Sequence, residues 1–279
     1  MESTITLSLC ECSENHVGMK KNGKKSKIGF NKDIIDKFAN EYKNKKIERI
    51  DLTKFLNNSE YNEYAELLII RNAIENHEVI YNELIKLDWD KKYYCIRRKK
   101  VLNKHARSNL CFDNYNQTPD YENKKGRIVS YENISNFNKE KNKICNILNE
   151  HLKCEGNKYD DTFKQGIGWH GDSERLKVIG CRFGKSMCLC FNWFKNCNPI
   201  GEMFKTTINS GDIYIMSEKV TGSDWKKKSL FTLRHSAGCD KYTKLHKKES
   251  TKPLSIENLY FRVLTLEKQL SNYLYYNNN

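Results

Sequence analysis

Two histidines and one aspartate of this sequence could together bind a transition-metal ion. His170 and Asp172 are separated by a single residue, so both side chains would leave the same face of a β-strand. His235 follows far downstream, at the end of Leu233-Arg234-His235. Two imidazoles and one carboxylate on one side of an ion leave the opposite coordination positions open, as in the facial ligand set of non-haem Fe(II) sites. The three residues therefore predict an Fe(II) site at which a 2-oxo acid and O2 could bind.

The surroundings of His170 and Asp172 matter, because a lone His-x-Asp tripeptide is common on protein surfaces. Asn157-Lys158-Tyr159 precedes His170 by about one strand and a turn. Downstream, Ser210-Gly211-Asp212 opens the apolar run Ile213–Met216. Short apolar segments with turn residues between them predict several β-strands around the candidate ligands.

This succession of motifs resembles the AlkB-like branch of the Fe(II)/2-oxoglutarate dioxygenases. That family's core reads Asn-x-Tyr, His-x-Asp-x-(Asp/Glu), a Gly-bearing apolar strand, a Gly-Asp or Gly-Ser strand ending in Met, and a distal His; the resemblance covers roughly residues 96–245. It implies an oxidoreductase that uses Fe(II), 2-oxoglutarate and O2. It also implies that His170, Asp172 and His235 are its metal ligands and catalytic centre, held in a double-stranded β-helix (jelly-roll) core.

The same resemblance assigns further residues to the site. Asn157 and Tyr159 match positions whose amide and phenol bind 2-oxoglutarate. Glu174 matches the second acidic residue of the motif, which faces the target base in relatives. An alternative is that Glu174 is a strand-end carboxylate paired with Arg175.

The anchor for the far carboxylate of 2-oxoglutarate departs from the family pattern. Relatives carry an Arg shortly after the distal His, but this chain has no Arg between His235 and Arg262. Lys244 could supply a point charge instead. Alternatively, Arg262 matches the second Arg of the family after an insertion. Both candidates remain open.

The charge of the chain favours a polyanionic partner. It has 279 residues and a formal net charge of +14, although its general enrichment in lysine weakens this argument. By the resemblance, a basic and aromatic region ahead of the core is the lid that contacts the nucleotide, and its candidate substrate contacts are Lys104, Arg107 and Tyr121. A cation facing a phosphate and an aromatic ring beneath a splayed base suit those roles. A solvated basic surface is the alternative.

The apolar spacing predicts an α+β protein. Helices are expected over 32–44, 60–76 and 138–152, whereas 78–87 fits both helix and strand patterns. The expected strands, typical of a closed or sandwiched β architecture, span 153–159, 166–170, 177–183, 187–194, 203–208, 212–216 and 230–235. We therefore divide the chain into a mostly helical flank (1–95), the catalytic domain (96–265) and a C-terminal tail (266–279).

The composition also predicts the compartment. No apolar run has membrane length, and the N-terminal residues lack the pattern of a signal peptide. The eleven cysteines lack zinc-site spacing and are interpreted as free thiols. We expect an intracellular monomer, cytoplasmic or nuclear, with no membrane partner.

The preferred function is oxidative dealkylation of nucleic-acid bases, in DNA or RNA repair or modification. A protein hydroxylase of the same superfamily is the second reading, since this fold alone does not fix the substrate. The third is a catalytically inactive relative that binds nucleic acid.

Overall fold

An eight-stranded sheet forms the centre of the structure. The computed structural model describes residues 3–58 and 60–245. The strands in this part of the chain are β1 (Thr4–Cys10), β2 (Cys12–Glu14), β3 (Lys21–Gly23), β4 (Ile47–Asp51), β5 (Glu66–Ile70), β6 (Lys92–Cys95), β7 (Lys100–Asn103), β8 (Ser108–Asp113), β9 (Ile128–Ser130), β10 (Lys153–Tyr159), β11 (Gly166–His170), β12 (Val178–Gly184), β13 (Met187–Lys195), β14 (Asn198–Ile208), β15 (Ile213–Met216) and β16 (Thr232–Gly238). The helices are α1 (Lys32–Glu41), α2 (His77–Leu84), α3 (Ser135–Leu148) and the single turn α4 (Asp240–Thr243).

The large sheet has the order β4-β5-β15-β12-β1-β10-β8-β9 and is antiparallel except for the β8–β9 pair. A second, four-stranded sheet has the order β11-β16-β13-β14 and is wholly antiparallel. Two hairpins, β2–β3 and β6–β7, complete the strands of the described part. The predicted α+β class is thus confirmed, with β-structure dominant.

Strand β1 lies in the middle of the large sheet, where it pairs with β10 and β12. Its sequence alternates polar and apolar residues, so successive side chains point to opposite faces. Ile5, Leu7 and Leu9 enter an apolar core, whereas Thr6 and Ser8 face the space between the two sheets.

The mostly helical flank predicted over 1–95 is therefore wrong. This stretch contributes β1, β4 and β5 to the large sheet, together with the helices α1 and α2. A strand that is central to the sheet cannot belong to a separate flank, and Met1–Leu245 is one compact unit. The boundary at 95 has no counterpart in the packing. The predicted tail, 266–279, lies outside the described residues.

The large sheet separates two apolar cores. One face packs against α1, α2 and α3, whose contributions include Phe38, Ile80 and Phe137. The other face packs against the four-stranded sheet, through residues such as Trp193 and Leu233. Complete burial of each such side chain stabilises the fold by roughly 1.5 to 3 kcal/mol. The two sheets are thereby held face to face, and the cavity described below lies between them.

Several predicted elements are confirmed and one is wrong. The helices expected over 32–44 and 138–152 correspond to α1 and α3, and the strands 153–159 and 166–170 have the predicted bounds. The expected helix over 60–76 is instead β5. Its run Glu-Leu-Leu-Ile-Ile is buried on both faces: Leu67 and Ile69 enter one core while Leu68 and Ile70 enter the other. A strand buried on both sides has no polar face, so its apolar run lacks the alternation that marks a strand.

The eleven cysteines all fall within the described residues and are free thiols. Across the described part of the chain, none of the helices has both the length and the apolar character needed to cross a membrane.

Candidate metal centre and its cavity

The three predicted ligands lie together at one edge of the four-stranded sheet. His170 ends β11 and is paired in register with His235 on β16. Asp172 follows β11, and its backbone N–H donates to the Thr221 carbonyl oxygen at 2.9 Å. Between them, Gly171 passes so close to the neighbouring turn that an added Cβ would lie 2.0 Å from the Gly222 carbonyl oxygen. This close approach requires a glycine between His170 and Asp172.

The geometry of these side chains suits one metal ion. The distance from Asp172 Oδ1 is 3.7 Å to His170 Nε2 and 3.8 Å to His235 Nε2. One donor atom from each of the three residues lies within 4.8 Å of the others. Two donors at about 2.1 Å from a shared ion are at most about 4.2 Å apart. The Asp172 carboxylate is therefore close enough to each imidazole for both to bind the same ion.

The protonation of both histidines also suits metal binding. Burial lowers the pKa of His170, and it lowers the pKa of His235 well below the usual range. Neutral imidazole is the form that binds metals. His170 Nδ1 lies 2.7 Å from the Gly168 carbonyl oxygen. Because Nδ1–H donates there, Nε2 is left with its lone pair toward Asp172.

A cavity of about 510 Å³ opens beside the triad, between the two sheets. Seven residues predicted as site residues line it: His170, Asp172, His235, Asn157, Tyr159, Arg107 and Glu174. Its size is that of a small-molecule site. The cavity therefore brings the predicted metal, cosubstrate and substrate residues into one space.

Asn157 and Arg107 form one polar network on the β10 side of the cavity. The Asn157 Oδ1 atom accepts from Arg107 Nε and from Asn109 Nδ2, both at 2.6 Å. Its amide oxygen is thus occupied and its orientation is fixed. The network links a predicted cosubstrate residue to a predicted substrate contact, and it adds Asn109, which the sequence did not single out.

Glu174 forms the ion pair with Arg175 that was the alternative interpretation, and it does so at the cavity surface. It lines the cavity and accepts from Arg175 Nη2 at 2.6 Å. Arg175 is buried and also pairs with Glu155. Glu14 lines the same wall, and burial raises the pKa of its carboxyl group. Three carboxyl groups and one guanidinium thus form this side of the cavity, which we call the acidic wall (Glu14, Glu155, Glu174 and Arg175).

The remaining predicted contacts lie elsewhere. Lys104 Nζ donates to Asn15 Oδ1 at 2.7 Å, and the Tyr121 hydroxyl donates to an Asp90 oxygen at 2.7 Å. Neither residue lines the cavity. Lys244 is exposed and also lies outside the lining; its carbonyl oxygen accepts from Trp169 Nε1 at 3.3 Å. Arg262 lies outside the described residues.

Other lining residues were missed by the sequence reading. They include Thr6, Ser8, Arg182, Tyr214 and Trp225. Arg182 could have been found, because it is a charged residue at an alternating position of a strand that is otherwise apolar or small. Thr6 and Ser8 belong to the unrecognised strand β1.

Comparisons with known proteins give the family but no activity. A scan against protein-family models finds no match. The chain is 43% identical over 252 residues to the uncharacterized protein R156 of Acanthamoeba polyphaga mimivirus, a match that covers 88% of this chain and 99% of the viral protein. The chain therefore belongs to the same family as this mimivirus protein.

Proposed function

We propose that the protein is an Fe(II)- and 2-oxoglutarate-dependent dioxygenase of the AlkB-like type. The main support is the approach of His170, Asp172 and His235, whose donor atoms lie within 4.8 Å of one another beside a cavity of about 510 Å³. Two neutral imidazoles and one carboxylate fit Fe(II) and leave positions open toward the cavity.

The arrangement of strands supports a double-stranded β-helix core. The four strands β10-β1-β12-β15 of the large sheet face the four strands β11-β16-β13-β14 across an apolar core. Eight strands in two facing antiparallel layers are the organisation of a jelly roll. In this reading β1 completes one of the two layers.

The chemistry follows from the residues around the cavity. Fe(II) and 2-oxoglutarate, when bound, supply O2-driven hydroxylation of a C–H bond, with 2-oxoglutarate converted to succinate and CO2. His170 Nε2, His235 Nε2 and Asp172 would hold the ion on one side. Asn157, whose amide is held by Arg107, would contact the cosubstrate, and Met187 and Leu189 supply apolar lining to the cavity.

Nucleic acid is the substrate class that the charges favour. The turn of the β6–β7 hairpin exposes Arg97, Arg98, Lys99 and Lys100. Tyr93 of this hairpin stacks on His16 at 3.7 Å, and His16 lines the cavity. A phosphate backbone on the basic turn would bring a flipped base to the acidic wall, which suits an exocyclic amine or a cationic alkylated ring. Hydroxylation of an N-methyl group then releases formaldehyde and the bare nitrogen.

A protein hydroxylase is the second candidate. Tyr121, the expected aromatic platform for a base, lies outside the cavity with its hydroxyl bonded to Asp90. The acidic wall would also accept a lysine or arginine side chain. Oligonucleotide binding whose affinity falls steeply with salt would favour nucleic acid, whereas an absence of such oligonucleotide binding would favour a protein substrate.

An anaerobic titration tests the proposed activity. Addition of Fe(II) and 2-oxoglutarate should give the weak visible charge-transfer band of the chelate in the wild type, and His170→Ala should abolish it. His151→Ala is the matched control, because this half-exposed histidine lies outside the cavity and should leave the band intact. Folded wild type without a band would refute the enzyme and favour an inactive binding protein. With the band present, formaldehyde release from methylated oligonucleotides or peptides identifies the substrate class.

A further inference from the structure

Arg182 lies inside the fold with its side chain toward the cavity. It is on β12, which runs between β1 and β15 in the large sheet. Its neighbours Cys181 and Phe183 enter the helix-side core. Because successive side chains of a strand point to opposite faces, Arg182 points toward the cavity side of the sheet. The residue is 1% exposed and lines the cavity that contains the triad.

The guanidinium of Arg182 lacks a partner within the described residues. Its Nε and Nη1 atoms are buried and make no hydrogen bond there. The carboxylate of Asp212, on the adjoining chain segment, is paired with Arg71 at 2.7 Å instead. A buried charge without a counterion is costly, and an unsatisfied buried group that faces a cavity calls for an explanation; an anionic ligand in the cavity would supply one.

The other buried arginines of the described region, Arg175 and Arg234, each contact a partner through the guanidinium. Arg175 pairs with Glu155 and Glu174. Arg234 has an orphaned Nε, but its guanidinium stacks on Phe194 at 4.2 Å and donates to the Trp225 carbonyl oxygen. Arg182 has neither kind of contact among the described residues, which sets it apart.

The groups around Arg182 include the hydroxyls of Tyr214, Tyr159 and Thr6, together with the sulfur of Cys188. Burial raises the pKa of Tyr214 to about 12, and burial also raises the pKa of Tyr159, so both phenols stay protonated. Thr6 on β1 is the register partner of Arg182. A planar guanidinium with hydroxyl donors nearby is suited to a carboxylate, which accepts from both in fixed geometry.

We propose that Arg182 anchors the far carboxylate of a short dicarboxylic 2-oxo acid whose oxo-acid end lies at the His170–Asp172–His235 triad. The inference rests on the proposed function and deepens it. Arg182 takes the role for which Lys244 and Arg262 were the candidates. It lies on β12, before His235 in the sequence, whereas both of those residues follow His235. The chain's departure from the family pattern thereby has a physical explanation.

Direct binding to the Mn(II)-loaded protein, measured by calorimetry, tests this assignment without turnover. The probes are 2-oxoglutarate and 5-methyl-2-oxohexanoate, in which an isopropyl group replaces the far carboxylate. Wild type should prefer 2-oxoglutarate, and Arg182→Met should weaken 2-oxoglutarate on the order of 10- to 100-fold, the value of a hydrogen-bonded charge. The same variant should bind the isopropyl analogue equally well or better. Lys244→Met is the matched control and should change neither affinity.

The thermal stability of the unliganded protein separates a binding role from a structural one. Removal of an unpaired buried charge should leave the midpoint of Arg182→Met unchanged or raised, whereas loss of a structural arginine would lower it. Arg182→Gln, which keeps a polar side chain, gives a second variant with the same expected loss of 2-oxoglutarate selectivity.

The outcomes distinguish this inference from the proposed function. If wild type binds neither acid in a metal-dependent way, the proposed function itself fails. If wild type selects 2-oxoglutarate and the Arg182 variants do so equally, the anchor is elsewhere and the inference is overturned while the function stands. Equal affinity of wild type for both acids also overturns it.

Discussion

At the scale of single residues, the site depends on glycines as much as on its ligands. His170 and Asp172 take their relative positions from the passage of Gly171 against Gly222. A ligand set held by backbone packing is preorganised, so the proposed ion would require little reorganisation of these side chains. The spacing His-x-Asp is visible in the sequence, whereas the close contact that fixes it is not.

Gly171→Ala should weaken Fe(II) binding while the protein remains folded. The new methyl group would meet the Gly222 carbonyl oxygen at 2.0 Å, and relief of this overlap must move Asp172. Loss of ligand orientation typically costs roughly 10- to 100-fold in metal affinity. Gly168→Ala is a close control, because an added Cβ there meets no atom within 4 Å. Equal loss of affinity in both variants, measured by anaerobic Fe(II) titration, would contradict this account.

Residue types together with the surrounding motifs identified part of the candidate site. His170, Asp172 and His235 could be selected because their chemistry suits a metal and because neighbouring motifs accompany them, and the structure brings the three together. Arg182 carried a local signal, a charge within a strand that is otherwise apolar or small, but its lack of a partner among the described residues is seen only in the structure. Pairing across strands is a tertiary property that no local pattern encodes.

At the scale of elements, β1 forms part of the cavity wall through Thr6 and Ser8. Its strict polar and apolar alternation, Thr-Ile-Thr-Leu-Ser-Leu, is a strand signal that could have been read. Its place between β10 and β12 could not, because pairing with distant segments depends on the whole topology. Conversely, β5 was mistaken for a helix because both of its faces are buried.

Leu7→Ala in β1 should destabilise the protein by roughly 2 to 5 kcal/mol, as expected for a fully buried leucine. Leu7 is 0% exposed in the helix-side core. Denaturant unfolding measures the difference, and Val17→Ala, at a position that is 80% exposed, should change stability by less than about 0.5 kcal/mol. A small effect of Leu7→Ala would mean that β1 is not integral to the sheet.

At the scale of the whole molecule, the net charge of +14 predicts association with polyanions but does not say where. One exposed cationic cluster near the cavity is the turn of the β6–β7 hairpin, whose Tyr93 stacks on the cavity residue His16, and we propose this turn as the contact for such a partner. Fold class could be predicted because it needs only the succession of elements. The order of strands in the sheets needed the structure.

Replacement of Arg97 and Arg98 by Gln should lower the salt dependence of single-stranded nucleic-acid binding. Each lost phosphate contact reduces the slope of log K against log salt by about 0.7. Lys37→Gln with Lys43→Gln removes the same charge near α1, which packs on the sheet face opposite the cavity, and should leave the slope nearly unchanged. Fluorescence anisotropy over a salt series measures both slopes. Identical slopes would assign binding to overall charge rather than to the hairpin.

The central position of β1 has a consequence for how the chain acquires its structure during synthesis. Thr6 of β1 pairs with Asn157 of β10 and Arg182 of β12, so β1 can pair only after those two strands have been synthesised. Contacts of such long sequence separation slow folding, and until they form, the apolar face of β1 is open to chaperones or to aggregation. The candidate metal site is completed later still, because His235 lies on β16, so the proposed ion could bind only after nearly all of the described chain has been made.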